Sequence, residues 1–281
     1  MKTLAIASVI LGTASIAAAQ PAVLRGSDTL FGATTDAISA AGLDGLLSYA
    51  GGGSGLGETG LRAGTQGIAP MSREISAAGM NDLLNQGVFP VQTVIGLDGV
   101  SLFVQASATA GQLDIPTIRG IYTCAITSWD GIAGAGKTGP ITAYRRDDVS
   151  GTTDVFKALV GITTFGSCVT VLASTADIAD VTSSDASAIG YSGLSGSRPG
   201  ANQELEVGRT SAGPFVAPST ATIRDFSYPL ARRLYINSVS EARVPTSDEQ
   251  TLLDFMSNPD NMDPILVANE FVTCDRSTGC P

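Results

Sequence analysis

The nine residues from Tyr144 to Thr152 read Tyr-Arg-Arg-Asp-Asp-Val-Ser-Gly-Thr and lead into an expected helix over Thr152 to Val160. An arginine offers a planar fork of donors that fits a tetrahedral oxyanion, and a nearby aspartate can hold that fork in place. Ser-Gly-Thr then adds two hydroxyls and the unpaired N–H groups of a helix start, where the dipole favours negative charge. Two further segments share this character. Gly26-Ser27-Asp28-Thr29-Leu30 precedes an expected helix over Leu30 to Ala41, and Gly51-Gly52-Gly53-Ser54-Gly55 follows an expected strand over Leu46 to Tyr49. Each has a plain structural use as well: Ser, Asp and Thr cap helices, glycines form turns, and surface ion pairs contribute little. Three donor-rich helix starts in one acidic chain shift the balance toward oxyanion binding. Gly55 to Gly60 also spells Gly-x-Gly-x-x-Gly, but a dinucleotide fingerprint needs a following strand that ends in an acid about 20 residues on. Asp82 falls in an expected helix over Ser76 to Gln86 instead, so that reading is rejected. A turn that brings backbone N–H groups close to a smaller anion, with Ser54 as a hydroxyl donor, fits better.

The chain contains no histidine. That excludes Ser-His-Asp and Cys-His catalysis, His-ligated zinc and haem, and His-based pH switching. Ser150 sits in a Gly-bearing turn before a helix, yet it lacks the Gly-x-Ser-x-Gly frame of a nucleophile elbow. A Ser-Lys pair would have to use Lys137 or Lys157, the two lysines left beyond Lys2. No catalytic residue, cofactor or metal is therefore assigned. A formal charge of −10 and a pI near 4.4 argue against nucleic acid or an anionic membrane as partner.

Residues 1–19 carry a minimal charged start, a short apolar run from Leu4 to Ile16, and Ala17-Ala18-Ala19 before Gln20. This is the pattern of a cleaved secretory signal, too short to span a bilayer. Losing Lys2 with it takes the formal charge from −10 to −11. No cysteine follows the cleavage site to carry a lipid anchor, so an exported, soluble, periplasmic or secreted protein is expected. The four cysteines suit an oxidising compartment and allow three pairings. Cys274 and Cys280 make the simplest small loop, which leaves Cys124 with Cys168. A four-thiolate metal site is disfavoured because no Cys-x-x-Cys pair exists.

Short β-rich runs alternate with helical stretches, which points to α/β layers. Further strands are expected at Val91 to Ile95, Val100 to Gln105, Ile141 to Tyr144 and Leu234 to Ile236. The helix from Ser76 takes Ser76 as its N-cap, and Ser247-Asp248-Glu249-Gln250 opens another, to Met256, with a capping-box pattern. No repeat, low-complexity tract or long linker divides the chain. Two lobes would have to be joined by crossing strands.

Taken together the segments resemble the periplasmic phosphate-binding proteins of ABC importers, type II solute-binding proteins with two α/β lobes. Gly26 to Leu30 is similar to the family's opening Gly-Ser-x-Thr turn, and Gly52-Gly53-Ser54-Gly55 to its Gly-Ser-rich second loop. Ile68-Ala69-Pro70-Met71-Ser72-Arg73 resembles a segment often read as Asp-Ile-Gly-Ala-x-Ser-Arg. Ile118 to Tyr122 with Ile126-Thr127-Ser128-Trp129-Asp130 resembles the Ile-Tyr/Phe…Ile-Thr-Asn-Trp signature. Arg146-x-Asp148-x-Ser150-Gly151-Thr152 is similar to the family's binding loop, the most specific of these motifs. Ala188 to Tyr191 and Tyr228-Pro229-Leu230 are similar to two later landmarks, so the likeness runs from about Gly26 to Met256.

The resemblance implies a two-lobed fold with each lobe a mixed sheet flanked by helices and the ligand in the cleft between them. Lobe one would comprise residues 20–95 and 228–281, and lobe two residues 96–227. It implies a monomer that binds inorganic phosphate and delivers it to a membrane ABC permease, chemically unchanged. The implied ligand set is Thr29, Leu30 through its N–H, Ser54, Ser72, Arg146, Ser150, Gly151 and Thr152, with Asp148 orienting Arg146. A secreted phosphatase, a phosphate sensor or adhesion protein on the same fold, and a binder of another tetrahedral oxyanion are the rival readings.

Some relatives carry Asp where this chain has Ser72. Phosphate at neutral pH keeps at least one proton and sulfate keeps none, so a buried carboxylate accepts from the first and repels the second. Asp28, Asp148 or a backbone carbonyl could replace that acceptor; Asp148 is expected to engage Arg146, and a helix cap is the competing role of Asp28.

Overall fold

The computed structural model describes residues 20–106, 111–146, 151–194, 200–276 and 280. The expected signal segment, residues 1–19, lies outside them. Strand β1 (Ala22–Gly26) leads through a single 3-10 turn, Asp28–Leu30, into helix α1 (Phe31–Ala40). Strand β2 (Leu47–Gly52) lies parallel to β1, with Gly26 opposite Gly52, so both strands end on the same edge. Helix α2 (Ser54–Ala63), strand β3 (Ile68–Met71) and helix α3 (Ala77–Asn85) follow. Ser76 caps α3 as its sequence predicts, its Oγ accepting from the Gly79 N–H at 3.0 Å.

Strand β4 (Val88–Gln105) is 18 residues long and replaces the two strands expected at Val91 to Ile95 and Val100 to Gln105. Gly96 and Gly99 suggest a break between them, yet both are extended strand residues. A Cβ on Gly96 would lie 2.8 Å from Leu266 Cδ1, and one on Gly99 2.5 Å from Ile223 Cδ1. These glycines let a helix on each side approach the strand closely, which is a second use of glycine in sheets.

Beyond β4 come strand β5 (Gln112–Asp114) and helix α4 (Ile115–Tyr122), capped by Asp114, which accepts from the Thr117 N–H at 2.8 Å. Strand β6 (Thr142–Arg145) runs into helix α5 (Gly151–Val160). Strand β7 (Thr170–Val171), helix α6 (Thr175–Ser184) and strands β8 (Ala188–Gly193), β9 (Asn202–Glu204), β10 (Glu206–Gly208) and β11 (Phe215–Val216) lead to helix α7 (Thr220–Arg224). Strand β12 (Ala231–Glu241) and helices α8 (Ser247–Ser257) and α9 (Pro259–Ala268) complete the order. The capping box of α8 lies one residue earlier than the sequence suggests. Thr246 is the N-cap and Glu249 its reciprocal partner, although Ser247 with Gln250 has the same Ser/Thr-x-x-Glu/Gln spacing.

The main sheet runs β3-β12-β4-β8-β6-β7, with β9 also on β4. Strand β4 pairs with β12 from Val88 to Gly99, then passes to β8 from Val100 to Phe103 and to β9 from Phe103. It therefore joins two cores. One contains Leu24, Ala37, Ile68, Ile95, Ile236 and Leu252. The other contains Leu102, Ile118, Trp129, Phe156, Ile189 and Tyr191, together with Val272 and Cys274 of the C-terminal tail. Disulfides join Cys124 to Cys168, with a Cα separation of 5.9 Å, and Cys274 to Cys280, at 5.3 Å. No helix among the described residues is long and apolar enough to cross a membrane, and no His/Cys/Asp/Glu group among them could hold a metal ion.

Candidate functional site

Parallel pairing sets the turns after β1 and β2 side by side, where open α/β sheets place their ligands. In the second turn Gly51, Gly52 and Gly53 have φ of 61°, 96° and 93°, a left-handed run that residues with a Cβ rarely adopt. The chain reverses there and starts α2 at Ser54. The glycine-rich segment is thus half turn and half helix, since Gly55, Gly57 and Gly60 lie inside α2. Asp28 does not cap its own helix. Its Oδ1 accepts from the Gly52 N–H at 2.7 Å and braces the second turn, while Oδ2 is buried with no hydrogen-bond partner among the described residues. Tyr49 donates its hydroxyl to the Ser27 carbonyl at 2.8 Å. Burial pushes that phenol well above its ordinary value, and the Asp28 carboxylate adds to the effect.

Ser54 and Ser72 meet. Their Oγ atoms are 3.2 Å apart, and the Ser72 N–H donates to Ser54 Oγ at 3.1 Å, with both residues buried. If Ser72 also gives its hydroxyl proton to Ser54, the Ser54 proton must go elsewhere and Ser72 Oγ is left as an acceptor. Thr29 is half-buried and its Oγ1 accepts from Arg232 Nη2 at 3.1 Å. The Leu30 N–H, which the resemblance aims at a ligand, donates to the Ser27 carbonyl at 3.1 Å and closes the 3-10 turn.

Helix α5 packs against the Asp28–Leu30 turn, the turn that carries Thr29. Thr152 is half-buried in its first turn, and Gly151 is its first residue. Arg146 follows β6 and is half-buried, its Nε shielded from water with no acceptor among the described residues. Arg145 goes another way, its guanidinium 4.5 Å from the Phe165 ring centre and its Nη1 donating to the Arg146 carbonyl at 3.0 Å. Asp148 and Ser150 lie outside the described residues. Between α5 and the first core lies a cleft of about 280 Å³, lined by Ser54, Ser72, Arg232 and Tyr235 on one wall and by Val155 and Leu159 on the other.

Two groups beside the cleft are absent from the sequence reading. Arg232 on β12 forms a buried ion pair with Asp98 of β4, donating to Oδ2 from Nε at 3.0 Å and from Nη2 at 2.6 Å. A charged residue at an inward position of an apolar strand is the signal that could have found it. Glu58 of α2 accepts from Arg73 at 2.7 Å and from the Ser76 N–H and hydroxyl at 3.0 and 2.5 Å, so it anchors the segment that carries Ser72. Burial alone would push the Glu58 carboxyl up. The Ser76 and Arg73 bonds outweigh it and hold the carboxyl below its ordinary value. A carboxyl depressed in the folded state stabilises above its unfolded pKa, about 4.3, and loses that contribution as pH falls through the lower folded value. The stability gap between wild type and Glu58→Gln should therefore narrow as acid unfolding is followed below pH ~4.3. A gap that stays constant down to the acid transition would remove the ionised Glu58 from this role.

A family model described as PBP superfamily domain matches residues 13–258. A curated relative named phosphate-binding protein, from an unknown prokaryotic organism, is 41% identical over 54 residues, which is 19% of this chain and 14% of that relative's length. The crystal structure of an ABC-type phosphate transport receptor from Vibrio cholerae matches with a TM-score of 0.75 and 20% identity over 89% of this chain and 99% of that one. PstS from Borrelia burgdorferi matches with a TM-score of 0.67 and 21% identity over 92% and 100%. At these identities the solved structures speak to the fold, which is the two-lobed α/β type II binding-protein architecture. With a family model spanning most of its length and that architecture beneath it, the chain belongs to the PBP superfamily.

Proposed function

We propose that the protein binds inorganic phosphate in this cleft outside the cytoplasm and delivers it, unchanged, to an ABC-type membrane importer. The observation that carries the reading is the packing of α5, with Arg146 and Thr152 at its start, against the turn that holds Thr29, beside the Ser54–Ser72 pair. The ligand set is Thr29, Ser54, Ser72, Arg146, Gly151 and Thr152, joined by Ser150 and by Asp148 as the brace of Arg146; the Leu30 N–H donates to the Ser27 carbonyl instead. The names of the relatives, a phosphate transport receptor and a phosphate-binding protein, support the choice of anion. The lobes are residues 20–95 with 228–281 and residues 96–227, with β4 crossing between them and Val272 and Cys274 of the tail packing into the second core, and the protein works as an exported monomer. With −11 charges on the mature chain, affinity comes from local dipoles, hydroxyls and arginine, while salt screens the opposing field within about 8 Å.

Calorimetry on the mature protein should give heat from one phosphate site and none from sulfate, and a chromogenic phosphate ester should remain intact. Hydrolysis that disappears in Ser150→Ala would overturn the reading in favour of a phosphatase. A permease gene beside this one is the matching expectation for delivery.

Selectivity falls to Asp28. Its role is not a cap, and its buried Oδ2 can accept the proton that phosphate carries and sulfate lacks. Asp28→Asn keeps an oxygen for the Gly52 N–H but offers a donor at the second position, so sulfate should gain on phosphate in competition binding. An unchanged ratio would reduce Asp28 to a brace for the glycine turn.

A further inference from the structure

We propose that Arg232 is a positioning residue of the anion site, acting through the Thr29 hydroxyl; the inference rests on the phosphate reading above. A hydroxyl oxygen has two lone pairs and one proton, and a cation that donates to it fixes which side can still give the proton. Arg232 Nη2 donates to Thr29 Oγ1 at 3.1 Å, so the Thr29 proton is turned away from the guanidinium and is left for an acceptor on another side. A bound oxyanion is such an acceptor. Arg232 lines the same cleft as Ser54 and Ser72, which places this arrangement at the wall where the anion is read.

Asp98 makes the arrangement rigid. It takes two bonds from the guanidinium, at 3.0 and 2.6 Å, and the two residues are opposite each other in the β4–β12 register. Both side chains are buried, at 6% and 7% exposure, so the fork has little freedom to leave Thr29. Because the carboxylate neutralises the arginine, the pair contributes direction more than net charge. Its place in the fold adds a second consequence. Asp98 lies just before β4 leaves β12 for β8, so the aim of the Thr29 hydroxyl is set by the strands that connect the two cores.

The test is calorimetry with inorganic phosphate on the full mature chain, comparing wild type, Arg232→Gln, Thr29→Val and the double variant. Arg232→Gln should weaken phosphate binding about 10- to 100-fold, the range for a hydrogen bond made to a charged group. In the Thr29→Val background the same change should cost less than about threefold further, since the hydroxyl it orients is gone. Two results overturn the proposal: phosphate affinity of Arg232→Gln equal to wild type, or losses that multiply in the double variant. The second would show that Arg232 acts through charge or packing and not through Thr29. Should Arg232→Gln fail to fold, Arg232→Lys keeps a cation beside Asp98 and runs the same cycle against the same two outcomes. Failure of the underlying reading looks different, since wild type itself would then give no heat with phosphate.

Discussion

Arg146→Ala should weaken phosphate binding by about 2–5 kcal/mol, the cost of removing a charged donor from a buried anion. Arg145→Ala should cost under about 1.4 kcal/mol, a factor of ten, because its charge serves a different surface. The two arginines are adjacent in sequence, and Arg145 has partners of its own. Arg145 ends β6 with its guanidinium against the Phe165 ring and one donor on the Arg146 carbonyl. Arg146 starts the passage to α5, half-buried, with Nε shielded from water and unmatched among the described residues. Successive residues of an extended chain point to opposite faces, so one of the pair reaches the core side and the other the helix start. Titration of both variants with phosphate at fixed ionic strength measures the difference. Equal losses would mean that the guanidinium at the anion is not the one in the Arg-x-Asp-x-Ser-Gly-Thr frame. The sulfate response of Arg145→Ala should also stay at the wild-type level.

Much of the local structure around the candidate site was legible from local pattern. Ser76 before a helix, Arg146 and Thr152 around a helix start, and hydroxyls after short strands are all statements about neighbours in sequence. The chemistry of a helix end is fixed within one turn, so these readings needed no tertiary knowledge. What escaped depends on contacts between distant elements. Gly96 and Gly99 resemble turn residues, and only the approach of Leu266 and Ile223 explains why they sit inside one long strand. Asp28 resembles a cap, and only the parallel pairing of β1 with β2 brings the Gly52 N–H within its reach. Arg232 and Asp98 are 134 residues apart, and Glu58 binds a segment 15 to 18 residues away across two helices. The Leu30 N–H belongs to the same class, since the closure of a 3-10 turn decides its partner. Residue types at a site can be read from a chain; which polar atoms are already occupied requires the fold.

Phe156→Ala should lower stability by about 3–5 kcal/mol, the range for truncating a buried aromatic ring, and should take phosphate affinity down with it. Phe156 is fully buried on α5. Its ring stacks on Tyr191 at 4.1 Å and 7°, and meets the edge of Tyr122 at 4.6 Å and 67°. Three residues earlier in the helix, Thr153 Oγ1 lies 2.9 Å from the Tyr191 hydroxyl. Ring and hydroxyl together lock the rotation of the helix about its axis, and that rotation decides where Thr152 and the N–H groups of the first turn point. Val155 and Leu159 of the same helix form the apolar wall of the cleft. A cavity left by the ring therefore loosens a core and an anion site at once, because protein interiors repack only in part around lost volume. Phe156→Leu keeps most of that volume and should fall between the two in both measurements. Chemical denaturation with and without phosphate separates the effects, since ligand stabilisation grows with the logarithm of concentration over Kd. If Phe156→Ala loses stability but is stabilised by phosphate as much as wild type is, the aromatic stack supports only the core, and some other contact sets the rotation of α5.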